Sequence, residues 1–498
     1  MEKNVSLDDI VNIAKRRGLI FPSSEIYGGL AGFYDYGPIG FEIKRRIIDD
    51  WWWNFVISRD DVYGISPAII LSPAVWKASG HVDEFIDILV ECTKCKSRFK
   101  AETLLEDLGI KISDFSMESI KNSLRDNNAR CPKCGGELSE PRRFNLMVEA
   151  HVGAVKDESS VIYLRPEIAQ GMFINFKLIS AITGAKLPFG IASYGKVFRN
   201  EIAPRGFIFR LREFEIAEIE YFIDPDEQNS CEDFHEVDNI EIKIWTKEEQ
   251  KRNLKPKERK LGDAYNEGVF SSMWHAYWVG ESVKWLESIG LSPENLRLRE
   301  HLETELAHYA KQTFDIEYYF PYFGWKEIVG IANRTDYDLR RHSKTSGEKL
   351  YLVKDGKQFF PYCIEPSFGI DRIFLAVITE AYTVREDGKV ILRLHPKVAP
   401  YDAVIVPLLK RPEFIAKAEE INRMLKRERL ATYVDVSGRV GKAYVKADEF
   451  GVPYAITIDH ETFENDTVTI RFRDTREQIR VPITELPIRI RELSKTTV

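Results

Sequence analysis

Cysteine is scarce, with six residues in a chain of 498, too few for a disulfide framework in a chain of this size. Long apolar runs are missing too. No stretch of eighteen apolar residues occurs, so no membrane span is expected. Residues 1–17 are charged throughout and hold no apolar signal core. Positive charge is not in excess: 71 Lys and Arg face 78 Asp and Glu, a formal net of −7. That excludes a uniformly basic nucleic-acid coat but leaves room for a local basic face. Repeats and low-complexity tracts are absent. What is present is a composition 44% hydrophobic and 30% charged, which supports large cores and argues against disorder. At about 150 residues per domain the length suggests two to four domains. The expectation is a large cytoplasmic multidomain protein.

Ser6 and Asp9 form a capping-box pattern ahead of a short amphipathic helix. A glycine-rich stretch, Gly28 to Gly40, precedes a helix expected over 41–56. Phe41, Lys44, Ile47, Ile48, Trp51, Phe55 and Val56 would line one of its faces. Trp51, Trp52 and Trp53 cannot all face one core. Either the helix is buried on more than one side, or part of its surface meets another subunit. The character of the chain changes repeatedly, which divides it into 1–88, an inserted module at 89–143, 144–225, a second insertion at 226–290, 291–400 and 401–498. A helix is expected over 291–313. Beyond Pro400 an apolar strand over 401–409, a helical repeat of Phe414, Ala418, Ile421 and Leu425, and two more strands describe a separate α/β domain.

Four of the six cysteines fall in two pairs, Cys92-x-x-Cys95 and Cys131-x-x-Cys134, the second followed by Gly135-Gly136. Four thiolates in tetrahedral array suit structural Zn²⁺. The 35 residues between the pairs would then loop out from the metal. A catalytic zinc fits less well, because no ligand position is left open. The competing readings are an oxidised pair or a degenerate site.

Three segments place charge inside otherwise apolar sequence. They are Leu164-Arg165-Pro166-Glu167, Phe198-Arg199-Asn200-Glu201 with a strand expected over 209–218, and Glu365-Pro366-Ser367-Phe368-Gly369-Ile370-Asp371-Arg372. Alternation would put Arg210, Arg212, Phe214, Ile216 and Glu218 on one strand face. Arginines around a loop suit planar phosphate groups. Buried charges of both signs are costly unless paired or used on a ligand. Each segment alone could be a structural ion pair; three together point to a site.

These residues resemble class II aminoacyl-tRNA synthetases. Phe198-Arg199-Asn200-Glu201 is similar to their motif 2 and Gly369-Ile370-Asp371-Arg372 to motif 3. The tryptophan helix running to Pro67 is similar to motif 1, the dimerisation element. Within the class, the resemblance is to the homodimeric glycyl-tRNA synthetase family of archaeal/eukaryotic-like type. It rests on Tyr34 to Gly40, Leu164 to Glu167, Ala169 to Met172, Phe209 to Phe214, Arg334 to Leu339, Glu365 to Gly369 and Asp448 to Gly451, and it spans about 10–482. Two departures are Ile168 in place of Thr and Lys100 in place of Arg.

The resemblance implies an α+β fold: an antiparallel catalytic sheet with flanking helices, an inserted zinc-knuckle module and a C-terminal anticodon-binding domain. It implies a homodimer that joins glycine to tRNA(Gly) through glycyl-adenylate, with ATP as substrate, Mg²⁺ as its ion and Zn²⁺ as a structural one. Arg199, Glu201 and Arg372 would be catalytic. ATP would be held by these three with Asn200, Phe209, Arg210, Leu211, Arg212, Glu213, Phe214, Glu327, Ile328, Gly369, Ile370 and Asp371. Glycine would be held by Lys100, Glu167, Phe214, Glu215, Ile216, Ala217, Glu218, Glu365, Pro366, Ser367, Phe368 and Gly369. Residues 401–498 carry 17 Lys and Arg against 16 Asp and Glu, a slight positive excess in a chain that is net negative. Arg471, Arg473 and Arg476 are candidates for a tRNA-facing surface there, against the alternative of an ordinary solvated face. Two other readings compete. One is a threonine, proline or histidine enzyme of the same class. The other is a synthetase-like protein without catalysis, which loss of Arg199, Glu201 or Arg372 would mark; all three are present.

Overall fold

A nine-stranded sheet organises the computed structural model, which describes residues 5–110, 116–157 and 160–496. Its strands are Val62–Gly64 (β1), Phe189–Phe198 (β2), Glu213–Ile223 (β3), Glu241–Trp245 (β4), Lys257–Lys260 (β5), Leu296–Glu300 (β6), Gln312–Phe320 (β7), Gly324–Thr335 (β8) and Tyr362–Gly369 (β9). Across the sheet they run β5-β4-β6-β7-β8-β9-β3-β2-β1. Only the pairings of β1 with β2 and of β4 with β6 are parallel, so the antiparallel core expected from the sequence is the observed one. Residues 226–290 supply β4 and β5 at one edge and a helix over the sheet.

The helix expected over 291–313 is not there. Leu296, Leu298 and Glu300 are buried while Arg297 and Arg299 between them are half-buried, the period-two signature of a strand, and Pro293 starts a short turn before it. The helix of this region lies earlier, at Met273–Ser288.

Four helices matter for the site: Leu7–Arg16 (α1), Pro38–Trp52 (α2), Met273–Ser288 (α3) and Ile370–Ala381 (α4). The Ser6–Asp9 capping box closes α1 as expected. Gly40 lets α2 pass against the preceding chain, since a Cβ there would lie 2.0 Å from the Leu19 carbonyl oxygen. The tryptophans divide as their spacing requires. Trp51 is buried, Trp52 lies over Gly64, and Trp53 is 61% exposed. Phe41, expected inside, is exposed; a π-helical turn at Trp53–Ile57 carries Phe55 and Val56 into the core.

Alternation along β3 and β9 decides what faces the site. Ala217, Ile219, Tyr221 and Ile223 of β3, with Ile364 and Phe368 of β9, join the core under α2, α3 and α4. Ile216, Phe222 and Cys363 face the opposite side, against the short helices Ala169–Phe173 and Phe176–Thr183. Glu218, Glu220, Glu365 and Ser367 therefore project to that second side.

Residues 86–145 build a separate small sheet in the order Arg98–Lys100, Ile86–Glu91, Arg142–Asn145, over a core of Val90, Ala101, Leu104, Leu105, Ile120 and Leu124. The C-terminal unit has strands Ala403–Pro407 (β10), Thr432–Val434 (β11), Tyr454–Ile458 (β12), Thr467–Phe472 (β13) and Gln478–Pro482 (β14), ordered β11-β10-β12-β13-β14. Helices Pro412–Arg427 (α5) and Val440–Phe450 (α6) pack on it. Two of the expected tRNA-facing arginines are buried instead. Arg471 pairs with Asp448 of α6 at 3.0 Å, and Arg473 donates to the Gly451 carbonyl at 2.8 Å. Asp448 also takes Arg385, from the chain before this unit, at 2.6 Å, so this face of the sheet turns inward. Arg476 is half exposed and pairs with Asp387. Among the described residues no helix is long and apolar enough to cross a membrane.

Candidate active site

A cleft opens over β3, β8 and β9, and most residues expected to hold ATP line it: Arg199, Glu201, Phe209, Arg210, Leu211, Phe214, Glu327, Ile328, Gly369, Asp371 and Arg372. Arg199 follows β2, donates to the Pro166 carbonyl at 3.3 Å and lies over the rings of Phe214 and Phe85 at 5.3 and 5.5 Å. Arg372, in the first turn of α4, lies 4.6 Å over the Phe209 ring and pairs with Glu327 at 2.8 Å. Two guanidiniums are thus braced on aromatic faces at the walls of one cleft, arranged for a polyanion.

The strand expected over 209–218 begins only at Glu213; Phe209 to Arg212 form the turn that leads into it. Arg210 therefore reaches Glu201, at 3.8 Å, from a loop, and Arg212 donates to the carbonyls of Glu201 and Ala31 at 3.0 and 3.2 Å. Arg212 ties this turn to the glycine-rich N-terminal loop, whose Gly32 carbonyl accepts its backbone N–H at 2.9 Å. Asp371 accepts from Tyr36, from Lys44 of α2 and from the Glu215 backbone N–H, and Lys44 also pairs with Glu215. Asp371 and Glu215 thereby anchor α4 to β3 at the cleft floor.

Beside the cleft lies a buried carboxylate pocket. Glu218 accepts the backbone N–H groups of Ile168 and Ala169 at 2.8 and 3.0 Å and the Ser367 hydroxyl at 2.9 Å. Glu167 meets His81 at 3.3 Å and Gln170 at 2.8 Å. Arg334, with no exposed surface, donates to Glu365 at 2.7 Å and in two-pronged fashion to Asp338 at 2.8 and 2.9 Å, and approaches Glu167 at 3.5 Å. Its guanidinium lies 3.7 Å over the Tyr309 ring. Four carboxyls around one guanidinium leave the pocket short of positive charge. Burial pushes Glu365 up to about 8, with Glu218 and Glu167 adding to the rise against the pull of Arg334. Burial and the Glu167 charge raise Glu218 as well. Glu167 is held well below its usual range: burial alone would raise it, but His81 and Arg334 prevail. The arrangement suits a small cation with hydrogen-bond donors.

Not every expected residue faces these two spaces. Ala217 and Phe368 turn to the helical core, Phe368 against Trp51, Phe55 and Trp285, and alternation sends Pro366 the same way. Ile370 is buried in that core. Glu213 pairs with Lys196 at the surface, and the Asn200 backbone N–H donates to the Leu146 carbonyl at 2.8 Å. Lys100 is held by Asp87 at 2.7 Å and Glu102 at 2.9 Å in the small module. Conversely, Arg334, His81, Asp338 and Tyr309 belong to the pocket but were not among the site residues expected from sequence. The available signal was the Arg334–Asp338 spacing, opposite charges four residues apart.

In the small module the four cysteine sulfurs lie within 4.8 Å of one another, with Cys92–Cys134 at 3.5 Å and Cys95–Cys131 at 3.7 Å. A tetrahedron of thiolates around zinc, at about 2.3 Å per bond, has edges of about 3.8 Å. Gly136 makes this approach possible: a Cβ there would stand 3.0 Å from the Cys92 sulfur. Hydrogen bonds from Ser97 bring the Cys95 thiol down to about 6, favouring the thiolate that a metal requires. The donor set fits a closed structural site.

Comparison with known proteins covers the same ground. Residues 152–382 match the tRNA synthetase class II core domain (G, H, P, S and T), and residues 402–493 match the anticodon binding domain. A glycine–tRNA ligase of Caldanaerobacter subterraneus subsp. tengcongensis is 42% identical over 98% of both chains. That of Clostridium tetani is 44% identical over 97% of both, and that of Thermobifida fusca 41% identical over 97% of both. A crystal structure of prolyl-tRNA synthetase from Cryptosporidium parvum, complexed with halofuginone and AMPPNP, superposes with a TM-score of 0.60 over 98% of this chain and 75% of that one. At 15% identity that likeness concerns the fold.

Proposed function

We infer, for a chain that belongs to the glycyl-tRNA synthetases of class II, the following division of labour in an AMP-forming glycine–tRNA ligase. Glycine is activated with ATP to glycyl-adenylate, and the 3′ end of tRNA(Gly) then takes the glycyl group. The observation that carries the assignment of roles is Ser367. It lines the nucleotide cleft and also donates to Glu218 of the carboxylate pocket at 2.9 Å. The two spaces thus meet where an adenylate joins its two halves.

Phosphoryl transfer of this kind depends on positioning and charge neutralisation rather than on a covalent protein group. Arg199 neutralises the α-phosphate as the glycine carboxylate oxygen attacks phosphorus, and pyrophosphate leaves toward Arg372. Phe214 and the aliphatic wall of Ile328 hold the adenine, and Glu201 reads its edge. Mg²⁺, which class II synthetases use with ATP, would be held by Glu327 and supplies further charge neutralisation. The glycine ammonium is received by Glu218 and Glu365, with Glu167 beside them and Arg334 fixing the last two. Glycine has no side chain to grip, and excluding a larger one is the easy direction of selectivity, so no editing step is needed.

The remaining assignments go with this reading. Cys92, Cys95, Cys131 and Cys134 hold a structural zinc. Residues 402–493 bind the anticodon. The chain pairs with a second copy through the motif 1 region, a role supported by exposed Trp53, Ile57 and Ile70, and works in the cytoplasm. The domain divisions are those drawn from the sequence, with the inserted module at 89–143 and its sheet running from Ile86 to Asn145. The archaeal/eukaryotic-like subtype draws no support from the three ligases described, all of them bacterial. The test is Glu218→Gln in glycine-dependent ATP–pyrophosphate exchange. The KM for glycine is expected to rise by about 10²-fold, the loss of a buried charge contact, with the KM for ATP little changed. Equal KM values for glycine in both proteins would refute the pocket.

A further inference from the structure

Behind the carboxylate pocket lies a group that the reaction scheme above does not use. Glu220 stands two residues beyond Glu218 on β3, on the same face, and has no exposed surface. Its carboxyl, with those of Glu218 and Glu365, forms a triad whose oxygens lie within 4.8 Å of one another.

The three are not equally equipped to carry charge. Glu218 accepts three donors and Glu365 accepts Arg334. Glu220 accepts only the thiol of Cys363, at 3.0 Å, a weak donor, and its other oxygen has no partner. The charged and titratable groups that act on it are Glu218 on its own strand, Cys363 and Glu365 on β9, and Arg334 at the end of β8. One guanidinium, already shared with Asp338, cannot compensate three carboxylates at this spacing. The proton of such a triad settles on the member with fewest donors. Burial, then Glu365, push Glu220 well above the usual carboxyl range, in keeping with this.

We propose that Glu220 is a positioning residue for glycine: it remains a neutral carboxylic acid at the back of the pocket, fills and spaces it, and leaves reception of the ammonium to Glu218 and Glu365. Resting on the glycine reading, this explains how a pocket can be packed with acidic side chains and still present a charge matched to one small ammonium. Size and charge are set by different members of the same triad.

The experiment compares Glu220→Gln, Glu220→Ala and Glu218→Gln in glycine-dependent ATP–pyrophosphate exchange, with the infrared carboxylic-acid band recorded on the full-length protein. Gln is neutral and nearly isosteric with the acid, so Glu220→Gln is expected to hold the KM for glycine within about threefold, whereas Glu218→Gln raises it about 10²-fold. Glu220→Ala removes the spacer and should raise that KM about tenfold with the KM for ATP unchanged, a loss of the size expected when a well-packed polar group is deleted. Recorded above pH 8.5, where Glu365 is ionised, the parent should show a buried carboxylic-acid band that Glu220→Gln lacks. A KM in Glu220→Gln as high as in Glu218→Gln would overturn the proposal, because the charge would then be needed. So would an unchanged glycine KM in Glu220→Ala, or an infrared band unaffected by Glu220→Gln. Should Glu220→Ala fail to fold, Glu220→Gln and the band still decide. Absence of any glycine-dependent exchange in the parent would instead sink the glycine reading, leaving the band to test the protonation of Glu220 by itself.

Discussion

Arg334 donates to Glu365 at 2.7 Å with both side chains buried, and the same guanidinium holds Asp338 with two further hydrogen bonds. One cation thereby orients part of the carboxylate cluster and pins the start of the helix Tyr337–Ser346 to the end of β8. Removing it takes the donor from Glu365 and leaves Asp338 with Gln170 alone. Arg334→Leu should lower the free energy of unfolding by about 3–5 kcal/mol, measured by denaturant titration. Arg334→Lys keeps the charge but loses the fork, and should fold while losing glycine-dependent exchange. A Lys variant with wild-type glycine kinetics would remove Arg334 from the site.

Arg199 and Arg372 both line the cleft over β3, β8 and β9, each braced on an aromatic ring. Charge neutralisation of phosphate groups in the transition state is worth on the order of 10²-fold per group. Arg199→Ala and Arg372→Ala should each lose at least that factor in pyrophosphate exchange, with the far-ultraviolet circular dichroism of the parent. Near-normal exchange in Arg199→Ala would break the assignment of motif 2.

Glycine binding should depend on pH. Glu365 is raised to about 8 in the free protein by burial and its acidic neighbours, and an arriving ammonium favours its ionised form. Below pH 8 the proton must be expelled before the ammonium is bound, so affinity falls as pH falls; above it that cost disappears. The KM for glycine, followed from pH 6 to 8.5, should therefore decrease as pH rises and level off, while the KM for ATP does not follow the same curve. A glycine KM independent of pH below 8 would contradict this.

The sequence was legible where chemistry is local. The Cys-x-x-Cys pairs, the Ser6–Asp9 cap and the charged segments around Arg199, Glu218 and Arg372 stand out because each motif is a few residues long. The alternation of β3 also showed which side chains travel with Glu218. What escaped depended on distant partners. Arg471 and Arg473 read as a basic surface strand, but Asp448 and the Gly451 carbonyl, brought up from α6, bury them. The segment 291–313 holds apolar residues at spacings that fit a helix in part; pairing of Leu296–Glu300 with β4 and β7 makes it a strand. Arg334 was visible as a motif residue, yet its importance comes from three carboxylates, of which Glu167 and Glu365 are contributed by segments far along the chain.

The cysteine cluster gives a prediction that does not depend on catalysis. Native protein should hold one zinc per chain, released by a thiol-modifying reagent. Gly136→Val would press against the Cys92 sulfur and the Lys94 side chain, 3.0 and 2.8 Å from the added Cβ, and should lower zinc retention, as should Cys131→Ser. Elemental analysis of freshly purified protein that finds no transition metal would eliminate the site.

The central claim is that the carboxylate pocket and the arginine cleft together activate glycine. ATP–pyrophosphate exchange measured with each of the twenty amino acids in turn tests it most directly. Glycine alone should support exchange, with alanine and serine at background, since exclusion of a larger side chain is the easy direction of selectivity. Exchange driven by threonine, proline or histidine, or by no amino acid at all, would contradict the account.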